Sequence, residues 1–355
     1  MKKILVIQQK MIGDVLLSSI LCEWLKKKYP AAKIHYSIHK NCLPVVENNP
    51  FIDQFIIFEP QQKRSKKAFL RFLNKIKLEK YDLVVDAYGK TESILITFFS
   101  KAKKRISYKK WYSKIFYTET VKRSSVVYTN AGNALEDRLR LLIPEAGIKE
   151  HIIKPAIYLT PSEKEEAKKY LIAQGIDFNK PIIMFSVLGS SLKKSMPFEY
   201  MAKLIDETVR ITQAQILFNY IPNQLEDAKK ILAFTNNFSK EHIFFDIYGK
   251  GLREFLKVLS LCNLLIGNEG GAVNMAKALE IPTFTIFSPW VDTKAWNMFE
   301  DGKNNVSVHL LDFEPEIYVN KYPKEFKKVA LELYKKLTPQ RIIPKLRDYL
   351  KNMGY

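Results

Sequence analysis

The chain has 355 residues, 57 of them Lys or Arg and 37 Asp or Glu, for a formal net charge of +20. At roughly 150 residues per domain the length implies a little over two domains. An apolar fraction of 47% beside 26% charged residues excludes disorder as the main description.

No stretch approaches the ~18 consecutive apolar residues of a membrane span. The start MKKILVIQQKMIGD is basic, but its apolar run is short and no small-residue cleavage site follows, which reads against a signal peptide. Three scattered cysteines (Cys22, Cys42, Cys262) without a CxxC pair argue against a disulfide framework or structural zinc. The expectation is a soluble, cytoplasmic, strongly basic protein.

In chain order, residues 4–8 (ILVIQ) form an apolar run without alternation, the pattern of a strand buried on both faces. A loop at 9–14 follows, then Leu16, Leu17, Ile20, Leu21, Trp24 and Leu25 at helical spacing, ending before Pro30. Strands are expected at 33–38, 55–58 and 81–86 (YDLVVD), with an amphipathic helix at 65–77 carrying Phe69, Leu70, Leu73 and Ile76. Thr160-Pro161-Ser162-Glu163 then supplies an N-cap, a proline at the first helical position and a glutamate at the third. Beyond that helix, strands at 181–187, 214–219, 243–245, 264–266 and 282–287 alternate with helices at 197–211, 223–233, 251–260 and 271–279. The alternation predicts α/β architecture: two doubly wound parallel-sheet domains, residues 1–160 and 161–330. Residues 331–355 read as a basic amphipathic helix that could dock back on the first domain. Two such domains are expected to place a ligand in the cleft between them, in loops that follow strands.

The charge is uneven. Residues 61–80 hold eight basic side chains against Glu79, and residues 101–123 hold nine against Glu119, whereas 251–300 carry four basic and five acidic ones. Such runs can be solvated helix faces. Two of them in one half also fit an anionic partner: a phosphorylated substrate, nucleic acid or an anionic lipid surface. Tyr108, Trp111, Tyr112, Phe116 and Tyr117 interleave the second run and could stack on bases, rest at a lipid interface or be core.

Three loops could carry chemistry. Lys10-Met11-Ile12-Gly13-Asp14 places a carboxylate at a helix start, where it could act as a general base or simply cap the helix; its lone glycine is no dinucleotide fingerprint. Gly189-Ser190-Ser191-Leu192-Lys193-Lys194-Ser195-Met196-Pro197 brings backbone N–H groups, hydroxyls and a lysine to a helix start, a combination suited to phosphate though not a Walker loop. Gly267-Asn268-Glu269-Gly270-Gly271-Ala272-Val273-Asn274 opens a helix on two glycines, leaving its amides open to an anion while Glu269 could grip ribose hydroxyls.

The opening ILVIQQKMIGDVLLSSILCEWLKKKYP, the later ENNPFIDQFIIF, YDLVVDAYGK and KPAIYLT, and IGNEGGAVNMAKALEIPTFTIFSPW together resemble the heptosyltransferase family, glycosyltransferase family 9. The resemblance implies a GT-B fold, with the acceptor bound mainly by the first Rossmann-like domain and a nucleotide sugar by the second. It also implies metal-independent inverting transfer, usually from ADP-heptose to the lipopolysaccharide inner core. Asp14 falls on the family's general base, Ser190 and Ser191 on hydroxyls at the donor phosphates, and Lys194 on the phosphate-binding lysine. Glu269, Gly270 and Gly271 lie where the family reads Asp-Thr-Gly or Asp-Ser-Gly, Asn274 replaces its histidine, and Met196 replaces the tryptophan of its lysine-x-tryptophan-proline. Asn223 joins the donor set, and Lys10, Gly13, Asp86 and Lys90 form the acceptor set.

No metal or other cofactor is expected: none of the five histidines lies in these loops and no DxD pair ends a strand. The expected partners are a nucleotide sugar, with ADP favoured, and an anionic glycolipid or oligosaccharide acceptor, with peripheral contact to the cytoplasmic face of an anionic inner membrane. Alternatives are another nucleotide sugar used for O-antigen or capsule, and a non-enzyme that binds nucleotide or nucleic acid. For nucleic acid no RRM, KH or zinc-finger signature is present.

Overall fold

The computed structural model describes residues 1–355 apart from Tyr248 and Lys250 and the side chains of Lys63 and Pro323. The chain divides into two units, Met1–Tyr158 and Leu159–Tyr355. Each is built on a six-stranded sheet in which every pairing is parallel.

In the first unit β1 (Lys3–Ile7), β2 (Lys33–His39), β3 (Gln54–Phe58), β4 (Leu83–Asp86), β5 (Lys104–Tyr108) and β6 (Glu119–Val121) stand in the order β3-β2-β1-β4-β5-β6. The second repeats this order with β7 (Ile182–Ser186), β8 (Gln215–Phe218), β9 (Ile243–Phe244), β10 (Leu264–Asn268), β11 (Thr283–Ile286) and β12 (Asn305–Val308), arranged β12-β11-β10-β7-β8-β9. This is the doubly wound Rossmann order, and it turns back between β1 and β4 and again between β7 and β10. Ligands bind at such switch points because the two loops leaving the neighbouring strand ends diverge and open a crevice.

The expected strands all form, and their unbroken apolar runs lie inside: Ile4, Leu5, Val6 and Ile7 are fully buried, as are Leu264, Leu265 and Ile266. The helix Ile12–Lys28 ends ahead of Pro30, and the Tyr36 hydroxyl of β2 donates to Val15 O at 2.7 Å to seat it. The helix Pro161–Ala173 begins as its sequence predicts: Thr160 Oγ1 accepts from Glu163 N at 3.2 Å, and Glu163 Oε2 accepts from Thr160 N at 2.8 Å. The run at 61–80 lies largely on the helix Lys66–Leu78, which turns Phe72, Leu73 and Ile76 inward and leaves its lysines in solvent.

The C-terminal helix corrects one expectation. The helix spans Pro339–Asn352. It packs along Phe198–Thr212 and places Ile342, Leu346, Tyr349 and Leu350 in the second unit's core. Residues 331–355 are therefore an integral part of that unit. Arg347 of this helix donates to Glu207 on Phe198–Thr212, which also accepts from Arg210 Nε at 3.0 Å and Nη2 at 2.7 Å.

The Arg210 bonds, with those of Arg347 and against the cost of burial, hold the Glu207 carboxyl down to about 2. Glu163 is likewise held to about 2, chiefly by Arg253, whose Nε lies 2.6 Å away. A carboxyl depressed on folding binds fewer protons in the folded state. Its stabilisation is therefore complete above the ordinary value near 4.5 and is lost as pH falls towards 2. Glu207→Gln should cost about 1.5–3 kcal/mol near neutral pH, and the variant should lose less stability than the parent on acidification. Urea unfolding across that pH range reads both effects.

Candidate functional site

In the second unit, pairing of Gly267 with Ser186 sets the ends of β10 and β7 side by side. Gly267 has φ +134, and a Cβ there would lie 2.4 Å from Ser186 O, so only glycine permits the approach. The next residue, Asn268, is fully buried and spans the gap. Its Nδ2 donates to Ser186 O at 3.1 Å and Val187 O at 2.9 Å, while its Oδ1 accepts from Met196 N at 2.9 Å. One side chain thus fixes both ends of the loop at 187–196.

The interior of the loop folds onto itself. A Cβ on Gly189 would lie 2.1 Å from Lys194 O. Ser195 Oγ accepts from Gly189 N at 2.9 Å and donates to Ser191 O at 3.0 Å. From the loop after β8, Gln224 Nε2 donates to Gly189 O at 2.8 Å; it is Gln224, beside the exposed Asn223, that reaches the loop. From the loop after β11, Ser288 Oγ and Trp290 Nε1 donate to Lys193 O at 2.7 and 2.9 Å.

This scaffold aims Lys194. Its Nζ lies 3.0 Å from Glu269 Oε1 and 5.4 Å from the Trp290 ring, which also has Lys327 Nζ at 5.2 Å. Lys194 is partly open to solvent, whereas Glu269 is buried, and burial pushes its carboxyl up against the opposing pull of Lys194. Ser190 and Ser191 lie exposed on the same loop. The helix Gly271–Ala278 begins beside Glu269, with Gly271 exposed and Asn274 half-buried. Gly270, at its start, has φ +153 with nothing within 4 Å of a Cβ, so backbone conformation rather than crowding calls for glycine. Trp290 supplies the aromatic neighbour that Met196 does not. It escapes motif reading because it arrives from another loop.

In the first unit the pairing of Ile7 with Asp86 brings the β1 and β4 loops together. Met11 adopts φ 67, a left-handed conformation rare for a non-glycine residue, and stands exposed just before the helix. The helix starts at Ile12, so Asp14 lies inside its first turn and is not the cap. The Asp14 carboxylate pairs instead with Arg138: Nη2 to Oδ1 is 2.6 Å, with the aspartate one quarter exposed and the arginine buried. Arg138 is itself anchored by Nη1 to Ala134 O at 2.7 Å and Nε to Ser18 Oγ at 3.4 Å. No motif announces Arg138, which lies 124 residues from its partner.

Asp86 turns inward. Its Oδ1 accepts from Tyr88 N at 3.0 Å and Gly89 N at 2.8 Å, and its Oδ2 from the Tyr117 hydroxyl at 2.7 Å. Burial pushes this carboxyl up despite those bonds. Asp86 orders its loop, while Lys90 at the following helix start is exposed and Lys10 half-buried; Gly13 sits within the first turn beside Asp14. Among the described residues no cluster of three or more His, Cys, Asp or Glu could hold a metal ion, and no helix is long and apolar enough to cross a membrane.

Two Rossmann-like units, each with polar loops at its switch point, place the chain in the GT-B fold class. Comparison with known proteins agrees. The model of glycosyltransferase family 9 (heptosyltransferase) matches residues 69–317. Lipopolysaccharide heptosyltransferase 1 of Campylobacter coli is 22% identical over 303 residues, covering 80% of this chain and 83% of its own. A solved glycosyltransferase family 9 protein of Veillonella parvula superposes with TM-score 0.82 at 18% identity, covering 98% of this chain and 97% of that one. The Escherichia coli ADP-heptose lipopolysaccharide heptosyltransferase II gives 0.75 at 17% identity over the whole of both chains. The chain belongs to glycosyltransferase family 9, the heptosyltransferase family, and is a glycosyltransferase.

Asn268 is the keystone of the loop at 187–196 in the second unit. Asn268→Ala leaves the N–H of Met196 without its buried acceptor and frees both loop ends, which should cost about 1–3 kcal/mol. Denaturant unfolding measures that loss.

Proposed function

We propose that the protein moves a sugar from a nucleotide sugar to a lipopolysaccharide-core or related glycan acceptor, with inversion and without a metal. ADP-heptose is the donor named for the Escherichia coli heptosyltransferase II that this chain resembles in fold. The observation that carries the reading is Lys194, aimed by a glycine-pinched loop beside a helix N-terminus at a topological switch point.

The chemistry needs two things. An acceptor hydroxyl must lose its proton as its oxygen bonds to the anomeric carbon, and the departing diphosphate oxygen must have its growing charge met. In this reading Asp14 takes the proton, and Arg138 holds the carboxylate in place. Lys194, the hydroxyls of Ser190 and Ser191 and the first amides of Gly271–Ala278 meet the diphosphate. Glu269 is then free to accept from ribose hydroxyls as the phosphate draws Lys194 away. Asn223 and Asn274 are the further donor-side candidates, and Lys10, Gly13 and Lys90 border the acceptor's side of the first unit. Because the relatives' acceptor carries a lipid, peripheral contact with the cytoplasmic face of an anionic membrane belongs to the same reading. Gly270 and Asn274, which depart from the family pattern, favour a second reading in which another nucleotide sugar serves O-antigen or capsule synthesis.

Thermal shift against ADP, UDP, GDP and CMP and their sugars, with and without EDTA, tests the donor. Selective stabilisation by ADP or an ADP-sugar that survives EDTA is expected. Stabilisation by a different nucleotide would move the reading to the second donor class, and none at all would overturn the donor site. Asp14→Asn should lower transfer by at least about a hundredfold with nucleotide affinity nearly unchanged. Equal loss of both would assign Asp14 a structural role through Arg138.

A further inference from the structure

Residues 109–116, between β5 and β6, carry the most exposed aromatic side chain in the first unit. Trp111 is 92% exposed, Ile115 82% and Tyr112 50%. These three apolar side chains stand among Lys109, Lys110 and Lys114, of which Lys109 and Lys114 are exposed. The nearest acid in sequence, Glu119, is paired with Lys104 at 2.9 Å.

The projection is built on a rigid base. Lys109 N donates to Val121 O at 2.7 Å, Ser113 is buried, and Tyr117 anchors the far end through Asp86. Phe116 packs edge-on against Phe98 at 5.4 Å, and Arg105 Nε donates to Phe116 O at 3.0 Å. Trp111 and Tyr112 pack edge to face at 5.7 Å. Lys110 Nζ donates to Gly89 O at 2.5 Å, joining the segment to the loop after β4. Because every strand is parallel, residues 109–116 leave the same edge of the sheet as the β1 loop before Asp14 and the β4 loop before Lys90.

We infer that Trp111, Tyr112 and Ile115, flanked by Lys109 and Lys114, form a docking surface for an anionic lipid bilayer. Tryptophan and tyrosine settle at the headgroup level, where one end of each ring is apolar and the other wet. Lysines around such a wedge are attracted to anionic headgroups. A protein partner would select differently, since interface cores are depleted of lysine. The inference rests on the peripheral-contact part of the proposed function and gives it a location, on the sheet edge where that function puts the acceptor.

The test is co-sedimentation of the full chain with phosphatidylethanolamine vesicles, with and without phosphatidylglycerol, at low and high salt. Binding that requires phosphatidylglycerol and weakens with salt is expected, with a blue shift of tryptophan emission. The double variant Trp111→Ser, Ile115→Ser should bind at least about tenfold more weakly, and Lys109→Gln with Lys114→Gln should weaken both the binding and its salt dependence. Trp111→Phe should keep the binding and lose the blue shift, while an unchanged melting temperature and far-UV circular dichroism spectrum certify that each variant is folded. Absence of binding to anionic vesicles at low salt, or equal binding by the serine variant, would overturn the inference. A dimer of the parent that Trp111→Ser dissociates in sedimentation velocity would overturn it as well, assigning the patch to a second copy. Vesicle binding is read without donor or acceptor, so failure of glycosyl transfer and failure of membrane docking register separately.

Discussion

Parallel pairing at the two switch points is the constraint on which the rest depends. Once β1 lies beside β4 and β7 beside β10, the loops leaving those strands must part, and their polar groups must find partners before a ligand can use them. Both units solve this alike. The fourth strand of each ends on a buried polar residue, Asp86 in β4 and Asn268 in β10. Each side chain spends its hydrogen bonds on neighbouring backbone or a buried hydroxyl. The loop after the first strand of each unit then carries the group proposed for chemistry: Asp14 in one, Lys194 in the other.

The two solutions differ where their chemistry would. Asn268 is neutral and both donates and accepts, so one side chain can clamp two carbonyls and an amide together. Asp86 is acceptor-only when ionised, and it collects two amides and the Tyr117 hydroxyl. Tyr117 belongs to the segment that ends the basic aromatic run, so the order of the β4 loop and the pose of residues 109–116 share one carboxyl group.

Much of this was legible in the sequence because it is local. Apolar runs such as ILVI and LLI read as strands buried on both faces, and the Thr160 capping box and the glycine loops name themselves. What escaped is what distance or charge conceals. β5 begins with Lys104 and Arg105 inside a basic run, so its strand pattern is masked. The helix Asn133–Arg140 (NALEDRLR) carries four charged side chains in eight residues, yet Glu136, Asp137, Arg138 and Arg140 are all buried. Arg140 joins Glu136 at 3.2 Å and Asp137 at 3.0 Å, while Glu136 also takes the amides of Tyr128 and Thr129. Periodicity sees only that a side chain is charged, not that its counterion waits across a turn. Arg138 beside Asp14 and Trp290 beside Lys194 were hidden for the same reason, as pairs made by the fold between distant segments.

The Lys194–Glu269 pair holds two opposite charges in place at the β7 and β10 loops. A buried carboxylate with no partner is expensive, and a lysine aimed into an empty pocket would wander. Paired at 3.0 Å, each holds the other, and the ring of Trp290 confines the ammonium from one side. The loop beneath them is fixed by Asn268, Ser195, Gln224, Ser288 and Trp290 rather than by the ion pair itself. In the proposed reading an incoming diphosphate would compete for the lysine without dismantling the scaffold, and the interaction it displaces would be electrostatic and local. That separation leaves the backbone geometry at Gly267 and Gly270 to shape the loops, while the Glu269 side chain has only to reach Lys194.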